Sequence, residues 1–157
     1  MRTAIKYALD IAKPFEGLSL SPYYDPVGYP TIGYGHLLSK KKWSDLSNWS
    51  AISKEDAEHI IMQDMALALN QALSVSPVLA KPINTKRLAA IADFVFNLGI
   101  GNYNASTLKR KVDREDWDGA VEQIMRWDKA GGKVLRGLTL RRKAESVLLR
   151  RDYYGNG

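Results

Sequence analysis

The stretch "SKEDAEHIIMQDMALALNQAL", residues 53–73, marks a change in the character of the chain. Ser53 is followed three residues later by Asp56, a spacing close to a capping box, and helical apolar periodicity follows as far as about Leu73. Because the preceding residues are dominated by turn-forming Gly and Pro, the sequence predicts that a long helix begins here and joins two different parts of the fold.

A helical wheel of this segment raises a question about Asp64. The acid falls within a stripe of apolar residues, and a carboxylate on a core-facing stripe needs a partner. His59 points to roughly the opposite side of the helix, so we predict that the chain's other histidine, His36, pairs with Asp64. The stripe consists of Ala57, Ile61, Met65, Ala68 and Ala72.

Upstream of this helix, the sequence predicts one short helix and then a small antiparallel sheet. Pro14 disfavours helix at the residue before it, so the first helix should kink or end there, with Gly17 as its terminator. The stretch "YYDPVGYPTIGYGH", residues 23–36, reads as short strands separated by turns. The apolar stripe of the first helix consists of Ala4, Ala8, Ile11, Ala12 and Phe15.

Downstream, the pattern is helical throughout. "NTKRLAAIADFVFNLG", residues 84–99, is apolar on nearly every side, which predicts a central buried helix ending at Gly99. Further helices are predicted at about 105–112, 115–127 and 137–151. The fold class is therefore α+β within a single domain, residues 1–157. We expect a sheet-containing lobe at about 14–52, an inter-lobe helix at 53–73, and a helical lobe at 74–157 on which the N-terminal helix packs.

Composition excludes several classes of function. The net charge of +6 favours polyanionic partners, but zinc-finger spacing, an RNP-like aromatic motif and a recognition-helix signature are all missing, so no specific nucleic acid is expected. With no cysteine, two histidines and no HExxH motif, neither a metal site nor a cofactor is predicted. The N-terminal residues lack a continuous apolar run, so we predict no secretory signal and no membrane span.

Three residues in the first third of the chain are candidates for chemistry. Glu16 lies at the C-terminal end of the first helix, where unpaired carbonyls disfavour an ionised carboxylate and so favour a general acid. Asp25 lies in a turn and Thr31 in a strand. Taken alone, each has an ordinary explanation, as a solvated helix-end residue, an Asx-turn residue and a β-branched strand residue.

Their spacing carries more information than the residues do singly. Eight residues separate Glu16 from Asp25, five separate Asp25 from Thr31, and "IGYGH" follows Thr31 directly. This pattern resembles the catalytic block of the phage-type lysozymes, the endolysins of glycoside hydrolase family 24. The resemblance continues, in the family's order and over most of the chain, in "AISKEDAEHIIMQD", "FVFNLGIGNYNASTLKRKV" and "RWDKAGGKVLRGLTLRRKAE".

The resemblance implies a lysozyme-like fold and a muramidase that hydrolyses the β-1,4 bond between N-acetylmuramic acid and N-acetylglucosamine. In the implied mechanism, Glu16 protonates the glycosidic oxygen, Asp25 orients or deprotonates the attacking water, and Thr31 holds that water. Direct attack by water inverts the anomeric configuration and requires carboxyl groups roughly 6.5–9.5 Å apart. The resemblance also pairs the structural residues His36 and Asp64.

The resemblance further assigns a sugar-binding groove. Its residues are Leu37, Phe96, Thr107 and Gln123. On spacing alone, core packing is the better interpretation of Leu37 and Phe96.

The implied partner is the glycan strand of peptidoglycan, attacked by a monomeric enzyme during host lysis. We expect synthesis in the host cytoplasm and action on the cell wall in the periplasm after holin-dependent release. For the basic segment "RGLTLRRKAESVLLRR", residues 136–151, contact with an anionic membrane or lipopolysaccharide is one interpretation. A helix packed on the core with a solvated arginine face is the favoured one. The alternative functions are a lytic transglycosylase and a basic membrane- or nucleic-acid-binding protein.

Overall fold

The computed structural model describes residues 2–150, and its architecture confirms the predicted α+β class. A three-stranded antiparallel sheet follows the first helix, and the rest of this range is mainly helical. Two 3₁₀ turns, Pro77–Ala80 and Pro82–Asn84, lead from the second helix to the third. The elements are α1 Arg2–Glu16, β1 Ser19–Tyr24, β2 Pro30–Gly33, β3 His36–Leu37, α2 Lys54–Val75, α3 Thr85–Leu98, α4 Ile100–Asn104, α5 Thr107–Asp113, α6 Trp117–Ile124, β4 Lys129–Ala130, β5 Lys133–Val134 and α7 Arg136–Leu149.

Helix α1 runs through Pro14 and ends at Glu16. Gly17 has a φ of 70°, a conformation that favours glycine, and its N–H donates to the carbonyl of Lys13 at 3.1 Å. Gly17 therefore terminates the helix, as predicted. The buried stripe is shorter than expected, because the Phe15 side chain is 38% exposed while the three alanines of the stripe are fully buried.

The small sheet has the order β1-β2-β3 and both pairings are antiparallel. Thr31 in the central strand faces Tyr23 on one side and Leu37 on the other. A shared polar contact ties this sheet to the helices, since Glu58 of α2 accepts from the Tyr34 hydroxyl at 2.7 Å and forms an ion pair with Lys13 of α1. The end of α1 is thereby held between the sheet and α2.

Helix α2 begins with the predicted capping box. The Ser53 hydroxyl accepts from the Asp56 amide at 3.0 Å, and the Asp56 carboxylate accepts from the Ser53 amide at 3.4 Å. All five residues of the predicted apolar stripe are buried, so the wheel gave the correct face of the helix.

Helix α3 is the centre of the helical part of the chain. It contacts α1, α2 and α7, and nine consecutive residues from Arg87 to Val95 are buried. Gly99, with a φ of 90°, ends it as predicted. Burial on every side explains why its sequence has so few polar residues.

Several short elements escaped prediction. Helix α4, the two 3₁₀ turns and the β4–β5 hairpin are each shorter than the window in which periodicity can be recognised. The predicted helix at 115–127 spans only Trp117–Ile124, because the chain then turns into the hairpin, whose tip is Gly131 and Gly132. Arg151, the last residue of the predicted C-terminal helix, lies outside the described residues.

The expected solvated arginine face of α7 is wrong for two of its residues. Arg141 is 3% exposed and Arg142 is fully buried, and both form ion pairs inside the protein. Helix α7 packs against α1, α3 and α6, so these guanidinium groups face the core. None of the helices between residues 2 and 150 is long and apolar enough to cross a membrane.

Candidate active site

A cleft of about 520 Å³ lies where the sheet meets α2 and α3. Its walls come from the end of α1, the β1–β2 loop, the turn into β3, one face of α2 and the end of α3. Both candidate carboxylates, Glu16 and Asp25, line it. A concave site with carboxyl groups on its walls is suited to general acid–base chemistry.

Glu16 is held by contacts from two distant parts of the chain. Oε1 accepts from Nη1 of Arg141 at 2.7 Å. On its other side, the backbone at Gly35 approaches so closely that a Cβ added there would lie 2.7 Å from Oε2 of Glu16. The Glu16 side chain is 21% exposed, so the carboxyl group is fixed but still faces the cleft.

Arg141 is itself fixed by Asp93 on α3. Its Nε donates to Oδ2 of Asp93 at 2.9 Å and its Nη2 donates to Oδ1 at 2.8 Å, a bidentate pair. Burial alone lowers the pKa of the Arg141 guanidinium, but Asp93 and then Glu16 outweigh burial and raise that pKa above its usual range. The arginine is thus a permanent cation between two acids.

Asp25 is held by its own loop. Its Oδ1 accepts from the amides of Val27, Gly28 and Tyr29 at 3.0, 2.8 and 2.8 Å. Three N–H donors fix Oδ1, so the orientation of the Asp25 carboxyl group is set by its own loop. The loop is closed further by a bond from the Asp25 amide to the carbonyl of Tyr29 at 2.9 Å.

Thr31 lies on the central strand beside these residues but is not among the described residues that line the cleft. Its side chain is almost fully buried, and its hydroxyl donates to the carbonyl of Tyr29 at 2.8 Å. The hydroxyl oxygen keeps lone pairs with which it can accept a bond from water. Its water-holding role stays a prediction.

Tyr23 is a neighbour of both carboxylates that the sequence did not indicate. Burial raises the pKa of its hydroxyl, and the negative charges of Glu16 and then Asp25 raise it further. Tyr23 also lines a second, shallower depression of about 290 Å³ together with Glu16, Leu18 and Ser19. Glu16 therefore lies between two depressions.

His36 and Asp64 meet at the edge of the cleft. Nδ1 of His36 is 2.6 Å from Oδ2 of Asp64, and both residues line the wall. The hydrogen bond to Asp64 raises the pKa of His36, against a smaller opposing effect of burial. The pair joins β3 to α2, which places it where a structural clamp between the sheet and the long helix would have to be.

The four predicted sugar-binding residues separate into two groups. Leu37 and Phe96 lie on the cleft wall, where Leu37 is 42% exposed. Thr107 lies at the start of α5 and Gln123 on α6, and neither is among the described residues that line the cleft. The structure instead brings Asn97, beside Phe96 on α3, and Gln71 on α2 to the wall.

Sequence reasoning missed Arg141 and Asp93. A signal for Asp93 was present, since it is the only charged residue in the apolar run from Leu88 to Leu98, and a buried acid requires a partner. Nothing comparable distinguishes Arg141 from the other arginines of α7. Within residues 2–150, no group of three or more His, Cys, Asp or Glu residues is placed to hold a metal ion.

Comparison with known proteins gives this geometry its context. Residues 13–145 match the family model described as phage lysozyme. The chain belongs to the phage lysozyme family. It is 34% identical over 130 residues to the SAR-endolysin of Bacteriophage PS34, covering 83% of this chain and 73% of that protein. It is 35% identical over 147 residues to the endolysin of Acyrthosiphon pisum secondary endosymbiont phage 1, covering 89% and 92%.

Solved structures with the same fold agree. The endolysin from Escherichia coli O157:H7 phage FAHEc1 superposes with a TM-score of 0.74 at 28% identity, covering 92% of this chain and 90% of that one. The muramidase domain of SpmX from Asticcacaulis excentricus shares the fold, with a TM-score of 0.73 at 24% identity and 97% of each chain covered. The protein is accordingly a lysozyme-type glycoside hydrolase.

Proposed function

We propose that this phage lysozyme hydrolyses the β-1,4 bond between N-acetylmuramic acid and N-acetylglucosamine in peptidoglycan, with inversion of configuration, and that it acts in host lysis. The observation that carries the proposal is that two carboxylates share one cleft in different environments, within a chain of this family. Asp25 accepts hydrogen bonds from three amides of its own loop, while Glu16 lies beside an arginine that is itself paired with Asp93. Such a difference separates the base from the acid.

In this proposal, Glu16 donates a proton to the glycosidic oxygen as the bond to the anomeric carbon breaks. Asp25 takes a proton from the water that attacks that carbon from the opposite face, and Thr31 helps to hold the water. Each step moves one proton and needs no covalent intermediate on the enzyme. The net reaction adds one water across the bond.

The position of Glu16 between two depressions supports cleavage inside a glycan strand. An acid that protonates an internal bond must have sugar on both sides of it. The larger cleft, with Leu37, Phe96 and Asn97, would hold one side, and the depression beside Tyr23 would hold the other. Thr107 and Gln123 would then act at most on parts of the substrate that extend beyond the cleft.

We also propose that the enzyme is made in the host cytoplasm, is released in a holin-dependent manner and acts as a monomer on the cell wall in the periplasm. Contact of α7 with an anionic membrane or lipopolysaccharide is the weaker part of this proposal. Two of its arginines are buried in ion pairs, which leaves fewer charges on its surface. Leu140 and Val147 remain exposed on it.

The test is lysis of outer-membrane-permeabilised Gram-negative cells, with mass analysis of the released fragments. Hydrolysis is expected to give muramic acid at the reducing end, and rapid chromatography should show its α-anomer before mutarotation. Anhydro ends would identify a lytic transglycosylase instead. A β-anomer would indicate retention and remove Asp25 from the role of a simple base.

A further inference from the structure

We propose that Asp93 sets the alkaline limit of the reaction by compensating the positive charge that Arg141 places against Glu16. Asp93 is a positioning and charge-compensating residue in this proposal and does not touch the substrate. The inference rests on the proposed role of Glu16 as the acid, and it adds the residue that fixes and compensates the cation beside that acid.

Asp93, Arg141 and Glu16 form a short chain of ion pairs from the core to the cleft, called the relay below. One guanidinium edge of Arg141, formed by Nε and Nη2, is taken up by Asp93, and the remaining nitrogen, Nη1, points to Glu16. Asp93 is fully buried and Arg141 nearly so. In such a medium, a charge is screened weakly, so the balance between one cation and its neighbouring acids acts strongly on Glu16.

The other charged groups near this relay come from three elements. On α7, Nε of Arg142 lies 2.7 Å from Oε1 of Glu145, so these two residues form a buried pair of their own. Burial, and after it Asp93, raises the pKa of Glu145 well above its usual range. Because the Glu145 carboxyl group lies against the Arg142 guanidinium, any charge on Glu145 is compensated by Arg142 and not by Arg141.

On the cleft side, the neighbours are Tyr23 of β1 and Asp25 of the β1–β2 loop, whose interactions with Glu16 do not depend on Asp93. Lys13, on the same helix as Glu16, is paired with Glu58. Removing Asp93 also changes the surroundings of Glu145 and Arg142, which both interact with it, but Arg141 is the group that joins it to Glu16. Without Asp93, the positive charge of Arg141 is opposed by Glu16 alone, which favours the ionised form of Glu16. The proposed general acid is then lost at a lower pH.

The experiment measures the pH profile of lysis for wild type and Asp93→Asn. The alkaline limb is expected to move to lower pH by about one unit, the scale on which an adjacent unlike charge acts on a carboxyl group. A purely structural role would lower activity at every pH without moving the limb. Asp113→Asn is the matched control, because it removes the same charge from a residue that accepts bonds from Ser76 and Lys109 rather than from Arg141.

The double variant Asp93→Asn/Arg141→Gln keeps the test decisive if the single variant does not fold, since it leaves no buried charge unpaired. If Asp93 compensates Arg141, the alkaline limb of the double variant should stay within about half a pH unit of wild type. If Arg141 is not compensated, removing both residues should move that limb to higher pH by about one unit or more. An unmoved limb in Asp93→Asn, or a raised limb in the double variant, overturns the inference. Glu16→Gln separates this failure from that of the proposed function, because only retained activity in Glu16→Gln removes Glu16 as the acid.

Discussion

Glu16 and Asp25, the two candidate catalytic carboxylates of the cleft, are held in opposite ways. Asp25 takes all three of its amide partners from the four residues that follow it. Glu16 takes its partner from Arg141, which lies 125 residues further along the chain, and its close backbone neighbour from the turn at Gly35. The surroundings of Asp25 are thus formed by a local loop, whereas those of Glu16 are formed by tertiary packing.

This difference has consequences for how each residue tolerates change. A loop that closes on its own side-chain oxygen keeps its geometry as long as that oxygen remains. A buried ion pair depends on both partners and on the helices that carry them. Variants near Glu16 should therefore affect activity through distant contacts, while variants near Asp25 should act locally.

The largest effect is expected for Glu16→Gln. Glutamine keeps an oxygen that can accept from Arg141, so the fold should be retained, but it cannot supply the proton. A loss of lysis of about 10³-fold is expected, within the range for a general acid. Turbidity clearance by purified protein, with circular dichroism as the control for folding, measures it; near wild-type clearance would exclude Glu16 as the acid.

The next largest effect separates the two functions of Asp25. Asp25→Asn retains the oxygen that accepts the three amides, so stability should change little while lysis falls by about 10²-fold or more. Asp25→Ala should lose lysis equally and also cost about 1–2 kcal/mol of unfolding free energy, because the amides lose their acceptor. Equal stability of the two variants would show that the loop does not depend on Oδ1.

A smaller effect is expected for Gly35→Ala, which tests the backbone neighbour of Glu16. Alanine at a φ of 73° costs about 1–2 kcal/mol, and its Cβ would meet Oε2 of Glu16. Gly33→Ala is the matched control, since its φ is 67° but its Cβ would make only ordinary contacts, the nearest with Ala57 at 3.6 Å. Both should lower the melting temperature, and only Gly35→Ala should reduce lysis per folded molecule, by about 10-fold.

The smallest effect is expected for the clamp at the far edge of the cleft. The raised pKa of His36 means that its pairing with Asp64 stabilises the fold fully below the unfolded value near 6.5 and fades as pH rises through the raised folded value. Because the pair is about one-third exposed, solvent screening limits the contribution to about 1 kcal/mol or less.

Thermal melts of wild type, His36→Asn, Asp64→Asn and the double variant measure the coupling at mildly acidic and at alkaline pH. Coupling is expected in the acidic buffer and should disappear in the alkaline one. Additive losses at both pH values would mean that the two residues do not stabilise each other.

The same contrast between local and distant contacts explains what the sequence could predict. Three local features could be predicted from the sequence because each depends on a few neighbouring residues. They are the loop at Asp25, the cap at Ser53 and the helix end at Gly17. The wheel also indicated the face of α2 that carries Asp64, because burial follows helical periodicity.

The contacts around Glu16 could not be predicted in this way. Its helix-end position predicted an acid influenced by carbonyl dipoles, but the structure also places the guanidinium group of Arg141 2.7 Å from the Glu16 carboxyl group. Which arginine of α7 turns inward is decided by packing against α3, and the sequence does not record that choice. The predicted division into two lobes also stays a prediction, although it agrees with a cleft between the sheet and the helices.

The 125-residue separation between Glu16 and Arg141 also has a consequence for synthesis. A ribosome adds roughly 5–20 residues each second, so the arginine is incorporated about 6–25 s after the glutamate. By the end of that interval, the nascent chain contains all the residues of the sheet, the long helix and the Asp25 loop, and only then does it gain the residue that fixes Glu16. Translation itself thus delays completion of the contacts around Glu16 until nearly all of the described chain has been made.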